Sequence, residues 1–275
     1  MKISFIGAGS MAEAIIAGLL RKNICRGQDI FVTNREDREK LTELEDRFGV
    51  RHTYDMAALM QHSDIVVLAV KPKDAHSSFQ KIKPYVTSDI LFISVMAGIS
   101  ISYIEENLGE SCAVARAMPN TSASVGKSAT GISFNPHVSE YQQKLAAEVF
   151  SSIGMTAVVK ENQLDGITAL SGSGPAYIYY IVEAMERSAE EIGLEADTAK
   201  ELILQTLAGA AEMLKTTGSE ASALRKAVTS PGGTTEVGIQ VLQKYKVHDA
   251  IVECIKAAAE KSKRLGRSQE SKHTV

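Results

Sequence analysis

Residues 2–12 of the chain read KISFIGAGSMA, and the fold class is most clearly indicated by this segment. A short apolar run at Lys2–Ile6 predicts a strand, which glycines break at once before a helical pattern begins. Gly7 permits a tight turn, Gly9 lets the backbone approach a pyrophosphate, and the small Ala12 allows close packing of helix on strand. The N–H groups at the helix start supply aligned donors for an anion. The stretch predicts a dinucleotide-binding turn, and the alternative is a glycine-rich turn without a ligand. The cofactor-binding residues predicted here are Gly7, Gly9, Ser10, Met11 and Ala12.

The alternation of strand and helix continues through the first 160 residues. The predicted strands are Lys2–Ile6, Ile30–Thr33, Ile65–Val70, Ile90–Val95, Ala113–Ala117, Gly131–Phe134 and Thr156–Val159. The first two predicted helices are Met11–Leu20 and Glu36–Phe48. Such alternation builds βαβ units. We therefore predict an α/β N-terminal domain with a Rossmann-like, doubly wound parallel sheet.

After about Lys160 the strands stop, and the remaining chain shows helical periodicity only. Asp197 is expected to cap one helix, and the last helix is expected to run from about His248 to Leu265, before Gly266. This change predicts a dinucleotide-binding domain at 1–160 and an all-α domain at 161–275. These helices are rich in alanine and other apolar residues, so we expect part of their surface to be buried against another subunit. A self-contained core is the alternative.

The composition excludes several classes of function. The formal net charge is −3, so binding to nucleic acid or to an anionic membrane, which needs a basic surplus, is not expected. No apolar stretch reaches the roughly 20 residues that span a bilayer, and the N-terminus lacks a signal-peptide pattern. The three cysteines lie far apart without a CxxC pair, so we expect neither a disulfide framework nor a metal site. These features predict a soluble, cytoplasmic protein.

The end of the second predicted strand bears on the choice of dinucleotide. An NAD site usually places a carboxylate there, whereas this chain has Asn34 and Arg35. An arginine offers a charge-assisted, bidentate contact to a 2′-phosphate. We therefore predict NADPH as the cofactor, with NADH possible but weaker. The alternative is that Arg35 only starts a solvated helix, and that Glu36 or Asp37 binds the ribose.

Three further strand ends fall where a doubly wound sheet places its ligands. Prolines follow Lys71 and Met118 directly and stiffen the chain as it leaves the sheet. Each segment alone is an ordinary turn, but on one edge of a sheet they predict the walls of a nicotinamide pocket. The cofactor-binding residues predicted in them are Ala69, Val70, Lys71, Pro72, Ala97, Gly98 and Asn120.

The segment Ser230-Pro231-Gly232-Gly233-Thr234-Thr235 is the strongest signal in the C-terminal half. Paired glycines, hydroxyl side chains and a helix start make a nest of N–H groups suited to a carboxylate. One alternative is an ordinary helix start with Thr234 or Thr235 as the N-cap. A second is that Glu236 is the anion that the helix dipole favours. The glycine cluster at residues 171–175 opens a long helix and has the same two interpretations.

These stretches together resemble the pyrroline-5-carboxylate reductase family. The matching segments are Phe5–Ala12, Ala69–Pro72, Met118–Thr121, Ala169–Tyr177 and Ser230–Thr235, and the resemblance covers residues 1 to about 265. One departure is Ser122, where members of the family often have proline. It is expected to cost a little rigidity in the nicotinamide loop.

The resemblance implies NADPH-dependent reduction of 1-pyrroline-5-carboxylate to L-proline, the last step of proline biosynthesis. Such a reaction needs an anchor for the substrate carboxylate and a donor near the ring nitrogen. The substrate-binding residues implied are Ser230, Gly232, Gly233, Thr234 and Thr235. Of these, Ser230 and Thr235 are implied as catalytic, with the Thr235 hydroxyl at the nitrogen. The resemblance also implies a homodimer through the C-terminal helices, often assembled into a larger ring.

Two other functions are weighed against this one. A β-hydroxyacid dehydrogenase shares the N-terminal domain but carries a catalytic lysine on the long helix, and residues 171–184 contain no lysine. A non-catalytic NADPH-binding regulator predicts a damaged substrate loop, yet Ser230 and Gly232–Thr235 are intact. Both observations favour the reductase.

Overall fold

The computed structural model describes residues 1–61 and 63–270, and within them it forms eight strands and twelve α-helices. The strands are β1 (Ile3–Ile6), β2 (Ile30–Thr33), β3 (Arg51–His52), β4 (Ile65–Leu68), β5 (Leu91–Ser94), β6 (Ala113–Met118), β7 (Ser128–Phe134) and β8 (Gly154–Val158). The helices before the last strand are α1 (Ser10–Arg21), α2 (Arg38–Phe48), α3 (Met56–Met60), α4 (Ala75–Ile82), α5 (Ile101–Leu108) and α6 (Glu140–Ser151). Those after it are α7 (Leu164–Ile167), α8 (Gly174–Glu191), α9 (Ala196–Thr217), α10 (Ala221–Ala227), α11 (Thr234–Lys244) and α12 (Val247–Glu270).

The strands form one sheet in the order β3-β2-β1-β4-β5-β6-β7-β8. All neighbours are parallel except β6 and β7, which are antiparallel. The predicted doubly wound fold is confirmed, but the sheet is not wholly parallel as predicted. The reason is the short connection from β6 to β7, which holds a single 3₁₀ turn at Thr121–Val125. A parallel pair needs a longer crossover, usually a helix.

Two apolar clusters cover the two faces of the sheet, which explains why the central strands read as unbroken apolar runs. In β1, Ile3 and Phe5 belong to one cluster and Ile6 belongs to the other. In β4, Ile65 and Val67 alternate with Val66 and Leu68 in the same way. The first cluster includes the buried face of α1, and the second includes residues of α4 and α5. The sheet is therefore held from both sides.

The chain divides into two compact units, one of residues 1–175 with the chain from 256 onward and one of residues 176–255. The first unit contains the whole sheet. The second consists of helices and begins within α8. The last strand of the sheet ends at Val158, close to the predicted domain boundary at residue 160, but the first unit continues through α7. The boundary therefore stays a prediction.

Two helix ends were predicted wrongly. The N-cap of α9 is Glu195 rather than Asp197, because the Glu195 carboxylate accepts the N–H groups of Asp197 and Thr198 at 3.2 and 2.8 Å. These hydrogen bonds, the one from Thr198 foremost, lower the pKa of Glu195. Helix α12 does not stop before Gly266 but continues to Glu270. A Cβ on Gly266 would lie 3.2 Å from the Gly98 carbonyl oxygen, so this glycine serves a close contact rather than a helix end.

Apolar side chains are widely exposed in the helical unit. Tyr180 and Ile192 are each 74% exposed, and Tyr245 is 71% exposed. A large patch of exposed apolar side chains normally marks a surface that another protein molecule covers. Among the helices of the described residues, none has the length and apolar character of a membrane span. The observation agrees with the expectation of burial against another subunit.

Candidate functional site

The turn between β1 and α1 depends on a glycine at position 7. Gly7 has a φ of +112°, which L side chains rarely adopt, and its N–H donates to the Thr33 carbonyl oxygen at 2.9 Å. A Cβ on Gly7 would lie 2.4 Å from the carbonyl oxygen of Ala69, directly after β4. Glycine is therefore required here by backbone conformation and by the neighbouring strand end.

Gly9 has a different role, because a Cβ built on it meets no protein atom within 4 Å. Its φ of −79° is open to any residue, so neither strain nor packing explains the glycine. Gly9 is the N-cap of α1, Ser10 beside it is exposed, and Ala12 is fully buried under the helix. The exposed backbone at this helix start fits the pyrophosphate of a dinucleotide.

The register of the sheet brings the other predicted cofactor segments to the same edge. Ile6 pairs with Thr33 on one side and with Leu68 on the other, and Leu68 pairs with Ser94. These residues end four parallel strands, so the chain leaves all four at one level. The segments that follow them are residues 7–12, 34–35, 69–72 and 97–98. The structure therefore places these predicted residues along one carboxyl edge, where doubly wound folds bind their ligands.

The environment of Arg35 contains two residues that the sequence did not single out. The Arg35 side chain is 75% exposed, and its Nη1 lies 3.8 Å from Asp74 Oδ1. Beside it, the Tyr54 hydroxyl donates to Asn34 Oδ1 at 3.2 Å. Asp37, one alternative ribose ligand, instead accepts the Lys40 N–H at 2.9 Å as the N-cap of α2. No local pattern marks Tyr54 or Asp74, because they reach Arg35 and Asn34 only through the fold.

Asn120 is nine-tenths buried, and its side chain is engaged within the protein. Its Nδ2 donates to the Ser171 carbonyl oxygen at 2.9 Å, and its Oδ1 accepts the Ser122 N–H at 3.1 Å. Ser171 lies in a π-helical turn, Thr168–Gly172, directly before α8. Asn120 thus joins the end of β6 to the segment that opens the long helix. The Ser122 bond needs an N–H that proline lacks, so the departure at Ser122 adds a contact.

The Ser230–Thr235 segment opens α11 as predicted, but neither threonine is the N-cap. That position is Gly233, so the threonine-cap alternative is wrong. Gly232 has a φ of +74°, and its N–H donates to Glu236 Oε2 at 2.8 Å. The Gly233 N–H donates to the Ser230 carbonyl oxygen at 3.0 Å and closes the turn.

The start of α11 keeps free donors beside these bonds. In the part of the chain that the structure describes, the N–H groups of Thr234 and Thr235 meet no acceptor. Both threonines and Ser230 are exposed. The Glu236 carboxylate therefore accepts the Gly232 N–H. The N–H groups of both threonines, their hydroxyls and the Ser230 hydroxyl remain available to a ligand.

Two family models match the chain. The model described as pyrroline-5-carboxylate reductase dimerisation matches residues 161–265, and the model described as NADP oxidoreductase, coenzyme F420-dependent, matches residues 2–98. Pyrroline-5-carboxylate reductase 2 of Bacillus subtilis is 47% identical over 261 residues, which cover 95% of this chain and 94% of the relative. The pyrroline-5-carboxylate reductase of Staphylococcus epidermidis is 36% identical, with 98% and 100% covered.

Solved structures agree with these relatives. A pyrroline-5-carboxylate reductase from Coxiella burnetii has a TM-score of 0.89 and 40% identity, over 96% of this chain and 98% of that one. The Plasmodium falciparum pyrroline carboxylate reductase, solved with NADP bound, has a TM-score of 0.88 and 33% identity, over 97% and 98%.

The sheet, the glycine turn at its edge and the helical C-terminal unit define an oxidoreductase of the dinucleotide-binding class. The particular family follows from identity over nearly the full length of both chains. This chain belongs to the pyrroline-5-carboxylate reductase family. The β-hydroxyacid dehydrogenase alternative is thereby excluded.

Proposed function

We propose that this protein reduces 1-pyrroline-5-carboxylate to L-proline with NADPH, as the last step of proline biosynthesis, and that it uses NADH more weakly. The observation that carries the proposal is the intact Ser230–Thr235 segment. It opens α11 with unengaged N–H donors and exposed hydroxyls. The relatives that match this chain over nearly their full length are named pyrroline-5-carboxylate reductase.

The cofactor residues proposed lie along the carboxyl edge of the sheet. The turn at Gly7 and Gly9, with the N–H groups from Ser10 to Ala12, holds the pyrophosphate. Asn34 and Arg35 hold the 2′-phosphate end. The nicotinamide pocket is walled by the remaining predicted residues, Ala69, Val70, Lys71, Pro72, Ala97, Gly98 and Asn120, the last of which also positions the turn at Ser171. NADPH supplies the hydride for the C=N bond when it is bound.

The substrate residues proposed lie at the start of α11. The N–H groups of Thr234 and Thr235 and the Ser230 hydroxyl bind the substrate carboxylate, and the turn of Gly232 and Gly233 shapes this nest. The Thr235 hydroxyl forms a hydrogen bond with the ring nitrogen, where charge density changes during reduction. No side chain is assigned as a general acid, so positioning supplies most of the acceleration. The proton comes from the substrate iminium or from water.

Assembly and location complete the proposal. The apolar side chains exposed on the helical unit and the match of residues 161–265 to a dimerisation model support a homo-oligomer. We propose a homodimer through these helices, assembled further into a ring of dimers. The proposed location is the cytoplasm, and the proposed ligands are small molecules rather than nucleic acid.

The test compares two neighbouring threonines at the start of α11. Thr235→Val removes the hydroxyl at nearly constant volume and keeps the N–H, and we expect turnover to fall by about one to three orders of magnitude. Thr234→Val is the matched control. It keeps the Thr234 N–H, which is proposed to bind the carboxylate, and it removes a hydroxyl to which the proposal gives no role. Both variants should melt like the wild type, because both threonines are exposed and neither is the N-cap of α11.

The measurement is NADPH oxidation with 1-pyrroline-5-carboxylate, beside a panel of small cyclic imines. If the two variants turn over equally, the Thr235 hydroxyl does not act at the nitrogen. If the wild type binds NADPH but reduces none of the imines, the proposed activity is wrong.

A further inference from the structure

Asp74 is the less exposed of two acidic residues beside Arg35. Its carboxylate lies 3.8 Å from Arg35 Nη1, and only 31% of its side chain is exposed. The second acidic neighbour, Glu36, is 3.9 Å away, but its side chain is 82% exposed. Asp74 therefore presents its charge to Arg35 from a less solvated position than Glu36 does.

Hydrogen bonds fix the backbone of Asp74 at the start of α4. The Asp74 N–H donates to the Lys71 carbonyl oxygen at 2.8 Å. Its carbonyl oxygen accepts the hydroxyls of Ser77 and Ser78 at 3.0 and 2.9 Å. Asp74 precedes α4, yet its carboxylate makes no capping hydrogen bond to that helix. Within the described residues, the Asp74 carboxylate thus contacts Arg35 and does not cap α4.

We propose that Asp74 limits the preference of the enzyme for NADPH over NADH, because its carboxylate competes with the 2′-phosphate for the Arg35 guanidinium. The inference rests on the proposed function, which places the 2′-phosphate at Arg35. An incoming phosphate has to displace the Asp74 contact and then sits beside its negative charge. NADH carries only a neutral hydroxyl there, so Asp74 penalises NADPH alone.

The size of the effect follows from the exposure of the pair. Charges near a solvated guanidinium are screened by water and salt, so their interaction is small compared with that of a buried pair. We expect removal of the Asp74 charge to tighten the binding of phosphorylated dinucleotides on the order of three- to tenfold. Glu36→Gln should give a smaller gain, because the Glu36 side chain is more freely solvated.

The experiment measures dissociation constants by isothermal titration calorimetry in the absence of the imine. Asp74→Asn keeps the side-chain shape, and it should tighten NADP⁺ and adenosine 2′,5′-bisphosphate while it leaves NAD⁺ and AMP within about twofold. Asp46→Asn is the matched control: it removes the same charge from an exposed position near the far end of α2. Asp74→Ser replaces Asp74→Asn if the latter melts early.

The same substitution in an Arg35→Ala variant tests whether Asp74 acts through the Arg35 guanidinium. There, Asp74→Asn should change NADP⁺ binding by less than about twofold, since the contested guanidinium is absent. Equal tightening of NADP⁺ and NAD⁺, no change in either, or an equal gain from Asp46→Asn would overturn the proposal. A wild type that binds NADP⁺ but does not reduce the imine refutes the proposed activity alone, because these measurements use no substrate.

Discussion

Alanine at Gly7 should lower the stability of the protein, whereas alanine at Gly9 should lower its affinity for the cofactor, although both glycines lie in one turn. In Gly7→Ala the new Cβ would lie 2.4 Å from the Ala69 carbonyl oxygen and 2.5 Å from its carbon, so the end of β4 has to move. Overpacking of this kind costs about 1–3 kcal/mol. The φ of +112° adds about 1–3 kcal/mol of backbone strain. We therefore expect the free energy of unfolding to fall by about 2–6 kcal/mol.

Gly9→Ala is the matched control for stability. Its φ and ψ of −79° and 178° suit alanine, and the Cβ meets no protein atom within 4 Å. The expected loss is at most about 1 kcal/mol, from a poorer N-cap. The same methyl group projects from the backbone that is proposed to approach the pyrophosphate, so NADP⁺ affinity should fall at least about tenfold.

The assay combines urea unfolding at one fixed protein concentration with calorimetric titration of NADP⁺. A fixed concentration is needed because the stability of an oligomer depends on it. If Gly7→Ala unfolds within about 1 kcal/mol of the wild type, the steric argument is wrong. If Gly9→Ala binds NADP⁺ as tightly as the wild type does, Gly9 does not approach the cofactor.

Four further outcomes are expected. Arg35→Asp should weaken NADPH far more than NADH, by about 2–4 kcal/mol through a lost charge-assisted contact and added repulsion; equal loss for both cofactors would remove Arg35 from the phosphate site. A hydrogen bond from Lys40 is the main cause that lowers the pKa of Glu13. Glu13→Gln should therefore destabilise the protein at neutral pH, and its deficit in urea unfolding should vanish as the pH falls through the lowered pKa, where the wild-type carboxylate is protonated as well. Asn120→Ala should reduce turnover while binding of adenosine 2′,5′-bisphosphate, which has no nicotinamide, stays unchanged. Light scattering should show at least a dimer, and a fully active monomer at micromolar concentration would contradict the proposed assembly.

Much of the N-terminal fold was predictable because its signals are local. Unbroken apolar runs mark strands buried on both faces, and the strand Ile30–Thr33 was predicted at its observed bounds. The two-residue strand β3 was missed, since Arg51 and His52 carry no apolar pattern. The strand β7 was predicted at Gly131–Phe134, but its antiparallel direction was missed, because strand direction depends on the connection and not on the apolar run itself. The start of α9 was mistaken because the Glu195 side chain, and not that of Asp197, caps the helix. The end of α12 was mistaken because Gly266 serves a close contact with Gly98 and does not end the helix.

The residues of the candidate site likewise fall into those that could be predicted from the sequence and those that could not. The residues proposed to bind phosphate and carboxylate groups could be predicted from the amino-acid sequence, since the glycine turn at residues 7–12 and the segment at 230–235 are each continuous in the chain. The expectation that part of the C-terminal helical surface is buried against another subunit also came from the sequence, because composition and periodicity are local properties.

Three features of the site became visible only in the folded chain: the steric requirement for glycine at position 7, the acid beside Arg35 and the hydrogen-bond partner of Asn120. Gly7 is constrained by Ala69, Arg35 by Asp74, and Asn120 by Ser171, which lies 51 residues away. Each contact joins segments that are distant in the chain and meet through the order and register of the strands or through packing at their edge. A periodic pattern reports which face of an element is buried, but not which other element covers it. The partners of these residues therefore follow from the assembled sheet and the segments packed at its edge.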